Sequence, residues 1–92
     1  MIRSFKHKGL EKFYVADSKA GIIPSHAEKL RVLLYALDQA KKPQDMGFKA
    51  WALHPLKGSL EGYWSVKVNG NWRLTFRFDG TDAEVVDYQD YH

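Results

Sequence analysis

Between Trp64 and Phe78 apolar side chains recur at every second position so regularly that a β-hairpin is the one local structure that accommodates them. Trp64, Val66 and Val68 share one face of an extended strand, and Trp72, Leu74, Phe76 and Phe78 share one face of a second. The turn between them sets the pairing. A two-residue loop at Asn69-Gly70 would place Val66 opposite Arg73 and bring charge onto the apolar side. A three-residue loop, Asn69 to Asn71, instead pairs Val68 with Trp72, Val66 with Leu74 and Trp64 with Phe76, with Gly70 or Asn71 left-handed. The other face then carries Tyr63, Lys67, Arg73 and Arg77. Lys67 falls directly opposite Arg73, a repulsive pair that either solvent screening or a bound anion relieves.

An apolar sheet face needs a cover, and the preceding sequence supplies it. Leu10, Phe13 and Tyr14 have the spacing of one helical face, stopped by the segment Asp17 to Gly21. Ser25 followed by Glu28 has the pattern of a capping box, which predicts the start of a second helix. Its stripe is Leu30, Leu33, Leu34 and Leu37; Lys41 and Lys42 suit its negative end, and Pro43 ends it. Ile2 to Phe5 reads as a short strand, Phe48 to Leu53 as another that delivers His54, and Ala83 to Tyr88 as the last, after a turn at Asp79 to Asp82. The expected class is α+β, with two N-terminal helices packed on one face of a mostly antiparallel sheet, in a single domain over residues 1–92.

Composition narrows the function without naming it. Apolar residues make up 45% of the chain, enough for a core, which excludes intrinsic disorder. There is no cysteine, hence no disulfide framework and no thiolate zinc site. With neither a signal peptide nor an apolar run of about 18 residues, the expected location is the cytoplasm, away from membranes. The net charge of +3 divides into +6 over residues 1–60 and −3 over 61–92. A polyanion-binding patch fits this asymmetry, and so does an ordinary solvated surface.

The residues able to do chemistry gather late in the chain. His54 lies before Pro55, which restrains its backbone, and His92 is the last residue. Metal-free cleavage of an RNA phosphodiester needs a base for the 2'-hydroxyl and an acid for the leaving oxygen, roles suited to two histidines, or to a histidine with Asp90 or Tyr91. Lys57, Arg73 and Arg77 could neutralise the phosphate and its pentavalent transition state, with Lys67 beside them. His7, His26, His54 and His92 lack metal-ligand spacing, and no carboxylate cluster suits magnesium. No metal or cofactor is expected.

Several strings together resemble a known family. Ile2-Arg3-Ser4-Phe5-Lys6-His7-Lys8-Gly9-Leu10, Leu53-His54-Pro55-Leu56-Lys57-Gly58, Gly62-Tyr63-Trp64-Ser65-Val66, Asn71-Trp72-Arg73-Leu74-Thr75-Phe76 and Val86-Asp87-Tyr88-Gln89-Asp90-Tyr91-His92 resemble the HigB branch of the RelE-type bacterial toxins. The resemblance implies a RelE-like fold and an endoribonuclease that enters the decoding site of the 70S ribosome and cuts messenger RNA. It also implies neutralisation by a HigA-type antitoxin with a helix-turn-helix domain, operator DNA being bound only by the two together. On this sequence His54 and His92 match the family's catalytic histidines, with Asp90 and Tyr91 beside them, and Lys57 and Arg73 match its phosphate-stabilising positions. Acid and base are not assigned individually, and the free protein is expected to be a monomer. The competing reading is a non-catalytic RNA- or antitoxin-binding module acting in operon control.

Overall fold

The computed structural model describes residues 1–90. Helix α1, Lys8–Ala16, starts where the Nδ1 atom of His7 accepts the Leu10 N–H at 2.9 Å, satisfying one of the amides that a helix start leaves unpaired. It ends at Asp17, whose left-handed backbone (φ 59°) turns the chain back. Leu10 and Phe13 face the core, while Tyr14, more exposed, packs its ring on Phe5. Gly9 is where the returning loop crosses α1, because a Cβ there would sit 2.6 Å from the carbonyl oxygen of Gly21.

Helix α2, Ala27–Gln39, buries Leu30, Leu33, Leu34 and Leu37 as the stripe predicts. Its start differs from the expected capping box. Pro24 opens a 3-10 turn, Pro24–His26, with Ser25 inside it, and no side chain caps the helix. Glu28 is drawn instead to Arg31, at 2.6 Å. A further 3-10 turn, Pro43–Met46, follows the helix and buries Met46.

The expected strand over Phe48 to Leu53 is also corrected. Lys49–Trp51 is a 3-10 turn, and its three-residue period brings the Phe48 and Trp51 rings to 4.6 Å. Regular pairing begins only at β1, His54–Pro55. With β2 (Trp64–Asn69), β3 (Trp72–Asp79) and β4 (Asp82–Asp90), it forms an antiparallel sheet in the order β1-β2-β3-β4. The N-terminal segment lies parallel to β4 through single bridges of Ile2 to Ala83 and Phe5 to Val86, rather than as a full strand. The last strand also runs past the expected Tyr88 to Asp90.

The hairpin register is as expected from Trp64–Phe76 through Lys67–Arg73, but not at the tip. There Asn69 pairs with Trp72 in place of Val68, because the loop is the two residues Gly70 and Asn71, Gly70 having φ 56°. Val68 becomes an extra, bulged residue. A second bulge interrupts the β3–β4 ladder around Val85, whose φ is 52° and whose N–H is held by Ser4 Oγ at 2.8 Å. Val66, Leu74, Phe76, Val86 and Tyr88 face α1 and α2, and this side forms the core. Among the described residues no helix is long and apolar enough to cross a membrane.

Candidate active site

The sheet face turned away from the helices carries His54, Lys67, Arg73 and Arg77. His54 pairs with Ser65, Ser65 with Thr75, and Thr75 with Asp87, giving one row across all four strands. A second row holds Lys67, Arg73 and Gln89, so Lys67 is a diagonal neighbour of His54. Gln89 donates from Nε2 to Thr75 Oγ1 at 3.0 Å.

His54 is exposed, yet both ring nitrogens have partners. Nδ1 lies 3.1 Å from the Ala52 carbonyl, and Nε2 lies 3.4 Å from Ser65 Oγ. A carbonyl oxygen only accepts, so Nδ1 carries a proton, and Nε2, on the side of Ser65, is the nitrogen left to hold the lone pair in a neutral ring. Ala52 aims that carbonyl from a left-handed backbone (φ 51°), a conformation that costs an alanine roughly 1–2 kcal/mol. Local strain beside a candidate base is where such conformations tend to gather.

The cations differ in their engagement. Lys57 is exposed at the head of the 3-10 turn Gly58–Leu60. Lys67 is exposed directly opposite Arg73, as the sequence predicts. The Arg73 guanidinium folds back on the hairpin tip, its Nη1 donating to the carbonyls of Gly70 (2.7 Å) and Trp72 (3.1 Å). Arg77 is bound to Glu84 at 2.7 Å and lies over the Tyr63 ring; the Glu84 hydrogen bond raises its already high pKa further. The sheet therefore brings His54, Lys67 and Arg73 onto one surface, whereas Arg77 reaches it already paired.

Asp90 ends β4 opposite Trp72. It stands three strands across from β1, about 14 Å laterally at the usual spacing, and, two positions after the inward-facing Tyr88, it belongs to the opposite face from His54, so the described residues do not bring the two together. Tyr91 and His92 lie outside the described residues. Ala52 and Ser65, which orient His54, were not singled out from the sequence. Pro55 pointed to a restrained His54 backbone, but nothing marked Ala52 as left-handed.

Helices on one face of a short antiparallel sheet make a fold already represented among solved structures. The fold matches the YoeB/ParE toxin from Agrobacterium tumefaciens with a TM-score of 0.63 at 20% identity, covering 99% of this chain and 97% of that one. It matches a YafQ mutant from E. coli with a TM-score of 0.59 at 19% identity, covering 96% and 89%. The class is that of the RelE-like toxins. Residues 3–92 match the family described as the RelE-like toxin of type II toxin-antitoxin system HigB, and the chain belongs to that family. It is 41% identical to a Proteus vulgaris protein named Endoribonuclease HigB, over all of both chains. It is 36% identical to Toxin HigB-1 of Vibrio cholerae serotype O1, covering all of this chain and 98% of that one. Membership implies an antitoxin partner.

Proposed function

We propose that this toxin is a ribosome-dependent endoribonuclease that cuts messenger RNA in the ribosomal A site and so stops translation. The single observation that carries the reading is the His54 imidazole, oriented by the Ala52 carbonyl at Nδ1 so that Nε2 lies beside the Lys67–Arg73 cation pair. End-to-end similarity to a protein named as an endoribonuclease adds the reaction class. In this reading a residue among His54, Asp90 and His92 takes the proton from a ribose 2'-hydroxyl, whose oxygen attacks the adjacent phosphorus. Lys57 and Arg73 stabilise the phosphorane, and the bond to the 5'-oxygen breaks as a second member of that set protonates it. The Nε2 lone pair makes His54 the better-placed base, with Tyr91 beside the acid. Neither metal nor cofactor takes part.

The partners in this reading are the 70S ribosome with its message, and a HigA-type antitoxin with which the toxin binds operator DNA; all are cytoplasmic. Arg73 is turned onto its own hairpin, which favours a substrate positioned by something else. A misplacement of about 1 Å costs about a hundredfold in rate, enough to make a free message a poor substrate. The test is nucleotide-resolution mapping of cuts with purified toxin, with and without programmed ribosomes. Cuts in phase with the decoding site and only with ribosomes are expected. Cuts on naked RNA at comparable rates would remove the ribosome dependence; no cuts by folded protein would favour a binding module without catalysis.

A further inference from the structure

One buried histidine lies outside the cleavage surface. His26 closes the 3-10 turn before α2 and is 5% exposed. Its Nδ1 lies 2.7 Å from the hydroxyl of Tyr88, a residue 62 positions later in β4 that is 4% exposed. That hydroxyl also accepts the Ile23 N–H, at 3.4 Å, and the direction of its bond to His26 follows the imidazole tautomer. Burial pushes the Tyr88 hydroxyl pKa up, with the Ile23 N–H acting the other way, which keeps the proton on the phenol. Around the bond, the Trp72 ring packs on Tyr88 at 4.6 Å and faces His26 at 5.9 Å.

The location gives the bond its meaning. Up to Val86 the outer edge of β4 is held by backbone bonds from the N-terminal segment, the last coming from Lys6 and His7. Beyond that point, among the described residues, β3 is its only strand neighbour. Tyr88 is the inward-facing residue of this half-supported end, two positions before Asp90, and Trp72 is the cross-strand partner of Asp90. Apolar contact holds a strand down without fixing its position along or about its axis. A short buried hydrogen bond does both, because it weakens steeply with angle and distance.

We propose that His26 and Tyr88 are positioning residues, whose buried bond pins the end of β4 to the start of α2 and so fixes the place of Asp90 at the end of that strand. The proposal rests on the reading of Asp90 as part of a cleavage site. It needs two readouts, one of which does not depend on cleavage. Tyr88→Phe deletes one oxygen and keeps the ring; His26→Leu deletes the partner of that hydroxyl; His26→Asn restores an amide, able to accept or donate, near the place of Nδ1. Leu37→Val, in the α2 core, serves as a control matched for lost stability.

In cleavage on programmed ribosomes, Tyr88→Phe and His26→Leu are expected to lower kcat about 10- to 100-fold with KM within about twofold, and His26→Asn to recover part of the loss. Leu37→Val should keep kcat within about threefold, as expected of a change that touches stability alone. Backbone amide exchange at Gln89 and Asp90 should quicken in Tyr88→Phe while Ala83 to Asp87 stay protected. Tyr88→Phe with kcat within twofold of wild type overturns the proposal, as does an equal loss in Leu37→Val. Should wild type cut nothing, the cleavage reading falls and exchange decides the pin: unchanged exchange at Gln89 and Asp90 in Tyr88→Phe overturns it.

Discussion

His54→Ala should separate activity from stability almost completely. The ring is exposed and its two polar contacts are long, 3.1 Å and 3.4 Å. Each is worth at most about 1 kcal/mol net, and less in contact with water. Thermal unfolding should therefore move by no more than a few degrees, since about 1 kcal/mol shifts a domain of this size by roughly 4–8 °C. A positioned general base contributes roughly 10²- to 10⁴-fold, so the cleavage rate on programmed ribosomes should fall by that factor. Two further substitutions divide the ring. His54→Asn keeps an N–H for the Ala52 carbonyl but has no atom at Nε2; His54→Gln places an amide near Nε2 that takes no proton. If Nε2 is the base, both fall as far as alanine, and the rising limb of the pH–rate profile disappears in all three. His54→Asn with more than about a tenth of wild-type activity would refute proton transfer at Nε2 and leave His54 a residue that merely holds RNA.

Gly9→Ala tests the crossing of α1 and the loop that follows it. Helix propensity alone predicts a gain of up to about 1 kcal/mol, but the added Cβ would meet the Gly21 oxygen at 2.6 Å and Cα at 2.7 Å, so thermal melts should show a loss of about 1–3 kcal/mol. A raised midpoint would show that the crossing is looser than described. Tyr14 and Tyr88 both have raised pKa values, each chiefly through burial, with Asp38 adding to the shift at Tyr14. Their contribution is complete below the ordinary tyrosine value of about 10 and is lost as pH rises through the folded values. In an absorbance titration these two phenols should ionise above the ordinary tyrosine range, a late phase that Tyr14→Phe with Tyr88→Phe abolishes; its absence from the wild-type curve would sink the argument. Lys67→Ala removes a cation facing Arg73 and should stabilise the fold by roughly 0.2–1 kcal/mol at low salt while weakening cleavage. The gain should vanish in high salt, and a loss of stability at low salt would count against the repulsion.

The parts of this fold legible in the sequence are those where one periodicity dominates. Trp64 to Phe78 alternates with a period of two and the α2 stripe follows the helical period, and the apolar side of each is buried or half-buried, although Ser65 and Thr75 on the other sheet face are buried too. Phe48 to Leu53 misleads because aromatic and small residues suit a strand, whereas the Phe48–Trp51 contact at three-residue spacing decides for a 3-10 turn. Ser25 and Glu28 have capping spacing, but Pro24 starts the turn one residue early. At the candidate site the cation row and the residue types were readable, and family resemblance gave His54 its role. The tautomer was not readable, since it depends on a carbonyl aimed by a left-handed alanine. The His26–Tyr88 bond joins residues from opposite ends of the chain, and no local pattern announces it.

The two bulges explain how so short a sheet keeps charge on one side. Both of its tight turns, Gly70-Asn71 and Gly80-Thr81, are two-residue loops with a left-handed glycine first, the type that suits the twist of paired strands. Either loop, continued without interruption, would set Val68 opposite Arg73 or Leu74 opposite Asp87 and mix the two faces. An extra residue shifts the register by one, which reverses the facing of everything beyond it. At Val68 this returns Val66 to Leu74 and leaves Lys67 with Arg73; around Val85 it gives Leu74 to Tyr88 and Arg73 to Gln89. Without that bulge Tyr88 would face the solvent row and His26 would lose its partner, so the strain at Val85 is offset by the packing and the buried bond that it makes possible.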